Sequence, residues 1–105
     1  KETGGHLEGD NLSEFRSDRS VIMEAMRMDG SNLDEASDEL RADRAIVLQA
    51  VQNDRSGASL KFAGQDLQSD RDIVMKAVRH SGNALEHASK SLRSDRQIVM
   101  EAVNQ

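Results

Sequence analysis

The chain has 105 residues, a formal net charge of −5, no cysteine and only two aromatic side chains, those of Phe15 and Phe62. This length suffices for one domain, and the acidic balance argues against a protein that coats nucleic acid, because nonspecific affinity for phosphates comes from clustered Lys and Arg. The longest apolar runs, such as residues 45–48, have four residues, whereas a membrane-spanning helix needs about 20.

The lack of cysteine excludes disulfides and thiolate chemistry. It fits a reducing compartment, although an oxidising one is equally compatible with such a chain. No segment has the pattern of a secretory signal, so we favour an intracellular location without deciding the compartment. The chain begins with Lys1 instead of Met, and we expect it to be a piece of a longer protein with further repeats.

Residues 1–14 form a Gly-rich, mostly polar leader. Gly5 lies ten residues before Phe15, as Gly30 lies ten residues before Leu40, and this spacing favours a degenerate half repeat. The alternative is a disordered leader. Both interpretations stay open at this point.

From residue 15 onward the chain is an internal repeat. The block Ser-Asp-Arg-x-Ile-Val-Met-x-Ala-Val occurs at Ser69–Val78 and again at Ser94–Val103, with degraded copies at residues 17–26 and 42–51. Its aspartates recur at intervals of 25, 27 and 25 residues, which is typical of stacked repeats. These aspartates are Asp18, Asp43, Asp70 and Asp95. The repeats are the units 15–39, 40–66 and 67–91 and a half unit, 92–105.

Each block predicts a helix with a defined start. Ser69 and Asp72 have the spacing of an N-cap and the residue that reaches back to it, but Asp70 also suits the positive end of the helix and could itself be the cap. A glycine follows each complete block, and glycine commonly ends a helix because it adopts positive φ at little cost. These glycines are Gly30, Gly57 and Gly82.

The second half of each unit has the pattern Gly-x-x-Leu-x-x-Ala and predicts a second, weaker helix. The first helix is apolar over more than half of its circumference, so it needs neighbours on both sides. One unit cannot bury such faces alone, whereas stacked units share them. The sequence therefore predicts an all-α fold, a short right-handed helical-repeat (α-solenoid-like) array of stacked helix pairs. Unit two carries extra residues, 52–56, for which we expect a longer loop or an added helical turn.

Two segments resemble a known family. Leu67–Val78 and Gly82–Leu92 fit, without a gap, the pattern of the domain-of-unknown-function repeat family numbered four-one-one-six. The resemblance extends over residues 15–103, and unit two departs from it through its extra residues and through Gly64, where the other units have serine. It implies short helical repeats of about 25 residues. It implies no activity, catalytic residue or cofactor.

An Asp-Arg pair is the most regular polar feature of the repeat. We expect each aspartate to lie at a helix N-terminus and each arginine to pair with an acidic group of the neighbouring unit, since a feature found in every unit usually maintains the unit. The alternative is a row of arginines that binds a carboxylate or a phosphate. The pairs are Asp18-Arg19, Asp43-Arg44, Asp70-Arg71 and Asp95-Arg96.

The positions that differ between units are the candidate binding site. Four of them are the one polar position inside each apolar block, and two more lie a turn further along the same helix face. We expect one exposed strip, either a surface that binds a protein or peptide partner or a solvated face without a partner. The strip consists of Glu24, Gln49, Lys76, Glu101, Arg27 and Arg79.

Catalysis and metal binding lack a residue pattern. His80 and His87 fall on different predicted helices, and zinc needs three or four convergent ligands. No serine, threonine or lysine stands beside an evident base. We therefore expect no catalytic residue, no metal site, no cofactor and no enzymatic activity.

The leading functional hypothesis is a noncatalytic helical-repeat module that presents an extended surface to a protein or peptide partner. The alternative is a structural spacer within a larger parent protein. A reader of single-stranded RNA is disfavoured by the acidic charge and the lack of repeated aromatic side chains, so we expect neither nucleic acid nor membrane as a partner. Ile98, Met100 and Val103 are expected to leave apolar surface open at the C-terminal end, which favours self-association there.

Overall fold

A computed structural model of the chain describes residues 14–105. Apart from Glu14, the leader at residues 1–14 lies outside the described residues, and so do both interpretations of it. Within residues 14–105 all regular secondary structure is helical and no strand occurs. None of the helices in this part has the length and apolar composition needed to cross a bilayer. The prediction of an all-α fold is confirmed.

The apolar blocks form four long helices, each of which starts directly after an aspartate. They are α1 (Arg19–Met28), α3 (Arg44–Gln52), α6 (Arg71–His80) and α8 (Arg96–Val103). Before α6, Asp70 accepts hydrogen bonds from the backbone N–H groups of Asp72 and Ile73, at 3.0 and 3.2 Å. Such bonds satisfy donors that the first helical turn leaves without a partner. The aspartate, and not the preceding serine, is therefore the N-cap.

Each second half, together with the first residues of the following unit, forms two short helical segments where the sequence indicated one helix. The first segments are 3-10 helices at Gly30–Glu35 and Gly82–His87 and, in unit two, α4 (Ser59–Phe62). The second segments are α2 (Asp38–Arg41), α5 (Gln65–Gln68) and α7 (Lys90–Arg93). The predicted helix pair is thus refined to one long helix followed by two short segments.

A backbone hydrogen bond explains the break between the two short segments. The residue before the break is an alanine in extended conformation, as at Ala63, with φ −69° and ψ 151°. This conformation frees the next N–H group, which donates to a carbonyl at the start of the same unit. The bonds are Ser37 to Arg16, Gly64 to Arg41 and Ser89 to Gln68, each at 2.9 Å. In a continuous helix this N–H group would instead donate to a carbonyl of the same helix.

The long helices pack in chain order, α1 on α3, α3 on α6 and α6 on α8. The first short segments contact one another along the same direction and cover one side of the long helices. Between these layers lies an aliphatic core. It supplies the buried apolar surface that large aromatic rings usually provide. Its fully buried large side chains include Ile22, Leu33, Ile46, Leu60, Ile73 and Ile98.

The expectation that glycines end the long helices through positive φ is wrong at all three places, because the residues at the helix ends are Asp29, Asn53 and Ser81. Of the three glycines only Gly57 has a positive φ, 82°, and it lies in the loop of unit two, five residues after the end of α3. Gly30 and Gly82 instead permit close packing against the next long helix. A Cβ atom on Gly82 would lie 2.5 Å from the carbonyl oxygen of Ala102, and one on Gly30 would overlap the carbonyl oxygen of Ala50.

Two further expectations concern the extra residues of unit two and the C-terminal end. Residues 53–56 of this insertion lie in a loop between α3 and α4, which was one of the two alternatives, whereas Gln52 is the last residue of α3. Met100 and Val103 are 49% and 68% exposed, as expected, but Ile98 is fully buried and its predicted exposure is wrong. Ile98 occupies the position of Ile73 in its block, and this position packs toward the preceding unit.

Candidate functional site

The Asp-Arg pairs join neighbouring units in a row that we call the Asp–Arg ladder. Each arginine Nε donates a hydrogen bond to Oδ2 of the next unit's aspartate, whose Oδ1 caps its own helix. The three pairs are Arg19 to Asp43 (2.9 Å), Arg44 to Asp70 (2.7 Å) and Arg71 to Asp95 (3.3 Å). The interpretation of these residues as helix caps and links between units is confirmed.

The ladder keeps its aspartates ionised. The hydrogen bond from Arg19 lowers the pKa of Asp43 below its ordinary value, although partial burial opposes this effect. Arg44 lowers the pKa of Asp70 in the same way. Backbone N–H groups at the helix starts add to the effect, because hydrogen bonds to a carboxylate favour its charged form. Arg44 uses both Nε and Nη2 toward Asp70, whereas Arg19 uses Nε toward Asp43.

The strip residues of the first two units do not converge. Arg27 and Glu24 pair with each other within α1, with 3.2 Å between Nη1 and Oε1. Gln49 is half-buried on α3. None of these three residues lines the groove formed by the last two long helices.

The strip residues of the last two units converge on an open groove between α6 and α8. Lys76, Arg79 and Glu101 line this groove, whose volume is about 520 Å³. Arg79 Nε lies 3.9 Å from Glu101 Oε2, so an ion pair connects the two helices. Three of the six predicted binding residues thus share one concave surface.

The apolar part of the groove was not predicted from the sequence. Met75 and Met100 line it, and Met100 is 49% exposed. Both residues belong to the apolar blocks, which were expected to be buried between units, and exposure of Met100 was expected only because it lies near the C-terminal end. Each lies five residues after its capping aspartate, at the edge of the apolar part of the helix circumference. At this edge the helix surface changes from contact with neighbouring helices to contact with solvent. Their position at that edge is the signal that could have identified them.

The model of one protein family matches the chain three times, over residues 18–68, 43–93 and 70–105. Its description reads "Domain of unknown function (DUF4116)". The chain belongs to this family. The three DUF4116 matches begin at the N-cap aspartates Asp18, Asp43 and Asp70, so they follow the period of the repeat. A comparison with curated proteins and one with solved structures found no match.

The second DUF4116 unit contains a buried carboxylate that sequence analysis did not single out. Asp54 is 3% exposed and accepts hydrogen bonds from the N–H and hydroxyl of Ser56 and from the N–H of Ser59, at 2.9, 2.6 and 2.7 Å. Burial opposes its ionisation, but these bonds outweigh burial and lower the pKa of Asp54. The same Asp-x-Ser arrangement at Asp29 and Ser31 is the signal that would have found it. Both aspartates hold the start of a second half in place.

The two histidines of the DUF4116 repeats lie in different helical segments. His80 ends α6, and His87 ends the second 3-10 helix, 3.8 Å from Glu86. Among residues 14–105 no three His, Cys, Asp or Glu side chains are grouped so that they could hold a metal ion. The groove between α6 and α8 is accordingly the candidate functional site.

Proposed function

We propose that the chain is a noncatalytic interaction module, a short α-solenoid whose outer face binds a protein or peptide partner. The observation that carries this proposal is the groove between α6 and α8, which gathers Lys76, Arg79 and Glu101. These residues were selected because they vary between units, a choice independent of the groove. Stacked helical arrays commonly bind partners along extended surfaces of this kind.

The lining of the groove favours an acidic peptide that carries an apolar side chain. Four basic and two acidic side chains line it. Among residues 14–105, Lys76 and Arg96 have no carboxylate within 4.0 Å, so both can pair with acidic groups of a partner. Met75 and Met100 supply adaptable apolar contacts, because an unbranched thioether side chain adjusts to its partner's shape.

The test begins with selection of peptides from a displayed library against the whole 105-residue chain. We expect selected peptides to be rich in Asp and Glu around an apolar residue. Their affinity is then measured by fluorescence anisotropy with the double variant Lys76→Glu, Arg79→Glu. Because this variant reverses two charges of the groove, binding should weaken by about tenfold or more.

A matched control is the double variant Arg55→Glu, Lys61→Glu. It makes the same change of charge at two exposed residues of the unit-two loop and α4, away from the groove. Binding to this variant should stay close to that of the unchanged chain. An equal loss in both variants would show that only overall charge matters and would contradict a site in the groove.

A structural spacer is the second candidate, and the Asp–Arg ladder supports it. The ladder and the backbone bonds within each unit would hold the ends of the array at a fixed distance. Since cysteine is absent, Ser20→Cys and Asn104→Cys allow two fluorescent labels at exposed positions. A narrow distance distribution by energy transfer, together with failure to select any peptide, would favour the spacer. A broad distribution would remove it.

A further inference from the structure

The outer face of the long helices repeats from unit to unit. The groove between α6 and α8 is lined on both helices by the positions one, two, five, six and nine residues after the capping aspartate. At about 100° per residue these positions share one side of a helix, with the fifth near its middle. In α1, α3, α6 and α8 alike, each of them is exposed or half-buried. The same face is therefore present on α3 and α6, which have a long helix on both sides.

The fifth position is the apolar centre of this outer face. It is methionine in three units and leucine in one, while the other four positions are polar or charged except at Ala45. Met23, Leu48 and Met75 pack against the core but are half-buried, so part of each is open to solvent. Because the Asp–Arg ladder aligns the starts of neighbouring long helices, the fifth positions form a row that crosses the helices. We call Met23, Leu48, Met75 and Met100 the apolar row.

The spacing of the apolar row matches one peptide conformation. The axes of packed helices lie about 8–10 Å apart, and successive members of the row are separated by a similar distance. A polyproline II helix has three residues per turn and rises about 3.1 Å per residue, so its side chains three apart lie on one side, about 9 Å apart. In a β-strand, side chains three apart point to opposite faces. An α-helix binds through a wider apolar stripe, whereas each unit supplies one apolar side chain.

The charges beside the apolar row favour an acidic peptide. In α1, Glu24 and Arg27 pair with each other, and α3 has the neutral residues Gln49 and Gln52 at the equivalent positions. In α6, Lys76 has no carboxylate within 4.0 Å among residues 14–105. A carboxylate of the peptide is the group that can pair with it. The face therefore calls for an acidic residue next to the apolar residue that contacts α6.

We propose that the apolar row binds an acidic peptide in polyproline II conformation, with an apolar side chain at every third residue. One turn of the peptide spans one unit, so the row holds four apolar side chains within about ten residues. An acidic residue beside one of them pairs with Lys76. This rests on the proposed peptide-binding function and adds the conformation of the ligand and its register on the repeat. The interior helices α3 and α6 carry it, since both have neighbours on each side.

The first test uses two synthetic peptides of twelve residues and the whole 105-residue chain. One peptide consists of four copies of Leu-Asp-Pro, in which proline favours the polyproline II conformation. The other has the same composition, but its leucines are at every second residue. Because all four leucines of the first peptide reach the apolar row together, it should bind about tenfold more tightly or better by fluorescence anisotropy.

The second test changes the apolar row in an interior unit. Leu48→Asn removes one apolar contact and should weaken binding of the Leu-Asp-Pro peptide by about fivefold or more. Leu48→Met introduces the residue of the other units and should bind as the unchanged chain does. The matched control is Leu85→Asn, because Leu85 is likewise half-buried against the core but lies in the second 3-10 helix, outside the outer face. Its affinity for the peptide should be unchanged.

Circular dichroism must show that the asparagine variants keep their helices, and if Leu48→Asn does not, the comparison of the two peptides decides alone. Equal affinity for the two peptides would overturn the proposed register, and so would equal losses in Leu48→Asn and Leu85→Asn. If library peptides bind the groove but their apolar residues lack a spacing of three, the register is wrong while the peptide-binding function stands. If neither synthetic peptide nor any library peptide binds, both proposals fail.

Discussion

The seam between neighbouring long helices and the groove on their outer face use similar polar side chains in opposite ways. In the seam, which consists of the Asp–Arg ladder and the core side chains beneath it, every unit has the same pair, such as Arg44 and Asp70. In the groove, equivalent positions carry different charges, as at Lys76 and Glu101. A position that packing between units requires keeps its residue type, whereas a position free of that requirement can vary and serve a partner.

The ladder by itself is a weak source of stability. Its arginine side chains are 44–54% exposed, so solvent screens each ion pair and the side chains lose conformational freedom when they pair. The aliphatic side chains beneath the ladder are fully buried. The seam is therefore held mainly by its core, and the ladder selects the alignment of neighbouring helices. The predictions below test this difference between seam and groove.

The largest expected effect is loss of a core side chain in the seam. Ile73→Ala removes a fully buried side chain between α3 and α6 and should lower the free energy of unfolding by about 2–5 kcal/mol. Met100→Ala, in the groove, truncates a side chain that is half exposed and should cost far less. Urea unfolding followed by circular dichroism measures both. Equal losses would show that seam and groove do not differ in the way described.

The close approach at Gly30 predicts the next largest effect. Gly30→Ala places a Cβ atom against the carbonyl oxygen of Ala50 and should destabilise the protein by about 1–3 kcal/mol, because the two elements must move apart. The control is Gly64→Ser, which introduces the residue found at Ser37 and Ser89. A Cβ at Gly64 meets its nearest neighbours at 3.4 Å, an ordinary contact, so thermal unfolding should be nearly unchanged.

Each ladder aspartate both caps a helix and pairs with an arginine. Losing it should lower the free energy of unfolding by less than the two changes above, and two variants separate the contributions of the cap and the pair. Asp70→Ala removes both the cap of α6 and the partner of Arg44, and the lost cap alone should cost about 1 kcal/mol. Asp70→Asn retains an oxygen that can cap the helix but loses the charge. We expect Asp70→Asn to fall between Asp70→Ala and the unchanged chain in urea unfolding. If both variants lose the same amount, the cap contributes nothing.

The smallest effect is the dependence of stability on pH. The folded-state pKa values of Asp43, Asp70 and Asp95 lie below the ordinary value of 3.8, so the unfolded chain binds protons more readily. Their contribution is complete above that value and is lost as the pH falls through the folded pKa values. The free energy of unfolding should therefore decline from about pH 5 to about pH 2.

The triple variant Asp43→Asn, Asp70→Asn, Asp95→Asn is the control for this pH dependence. It should be less stable at neutral pH and should show a flatter decline in acid. Asp54, whose pKa is also lowered, accounts for part of the decline that is left. An identical slope in the triple variant would show that the ladder does not cause the pH dependence.

Local spacing allowed much of the fold to be predicted. The helix starts near Asp43 and Asp70 and the pairing of Arg44 with an acidic group of the neighbouring unit were expected from residue types at fixed intervals, and the structure identifies Asp70 as that acidic group. The split of the second halves was not visible, because Leu-x-x-Ala suits one helix or two. It depends on the bond from Ser37 to the carbonyl of Arg16, which only the folded chain brings together.

The sequence likewise predicted only some of the residues of the candidate site. Variation between units identified Lys76, Arg79 and Glu101, which the structure brings together, but it selected Glu24 and Gln49 equally. The difference between these groups depends on how neighbouring long helices meet, and no single position encodes it. Exposure of Met100 was predicted from its place near the C-terminal end, but the groove that it lines together with Met75 was not predicted.

The sequence by itself determined the period of the repeat, the helical class and the helix starts to within one residue, because hydrogen bonds and apolar faces within one unit depend on spacing along the chain. Tertiary structure alone decided that Gly30 and Gly82 serve close packing, that Ile98 is buried and that a groove forms between α6 and α8. These features arise from distances between segments far apart in the chain, and such distances are set only when the units pack.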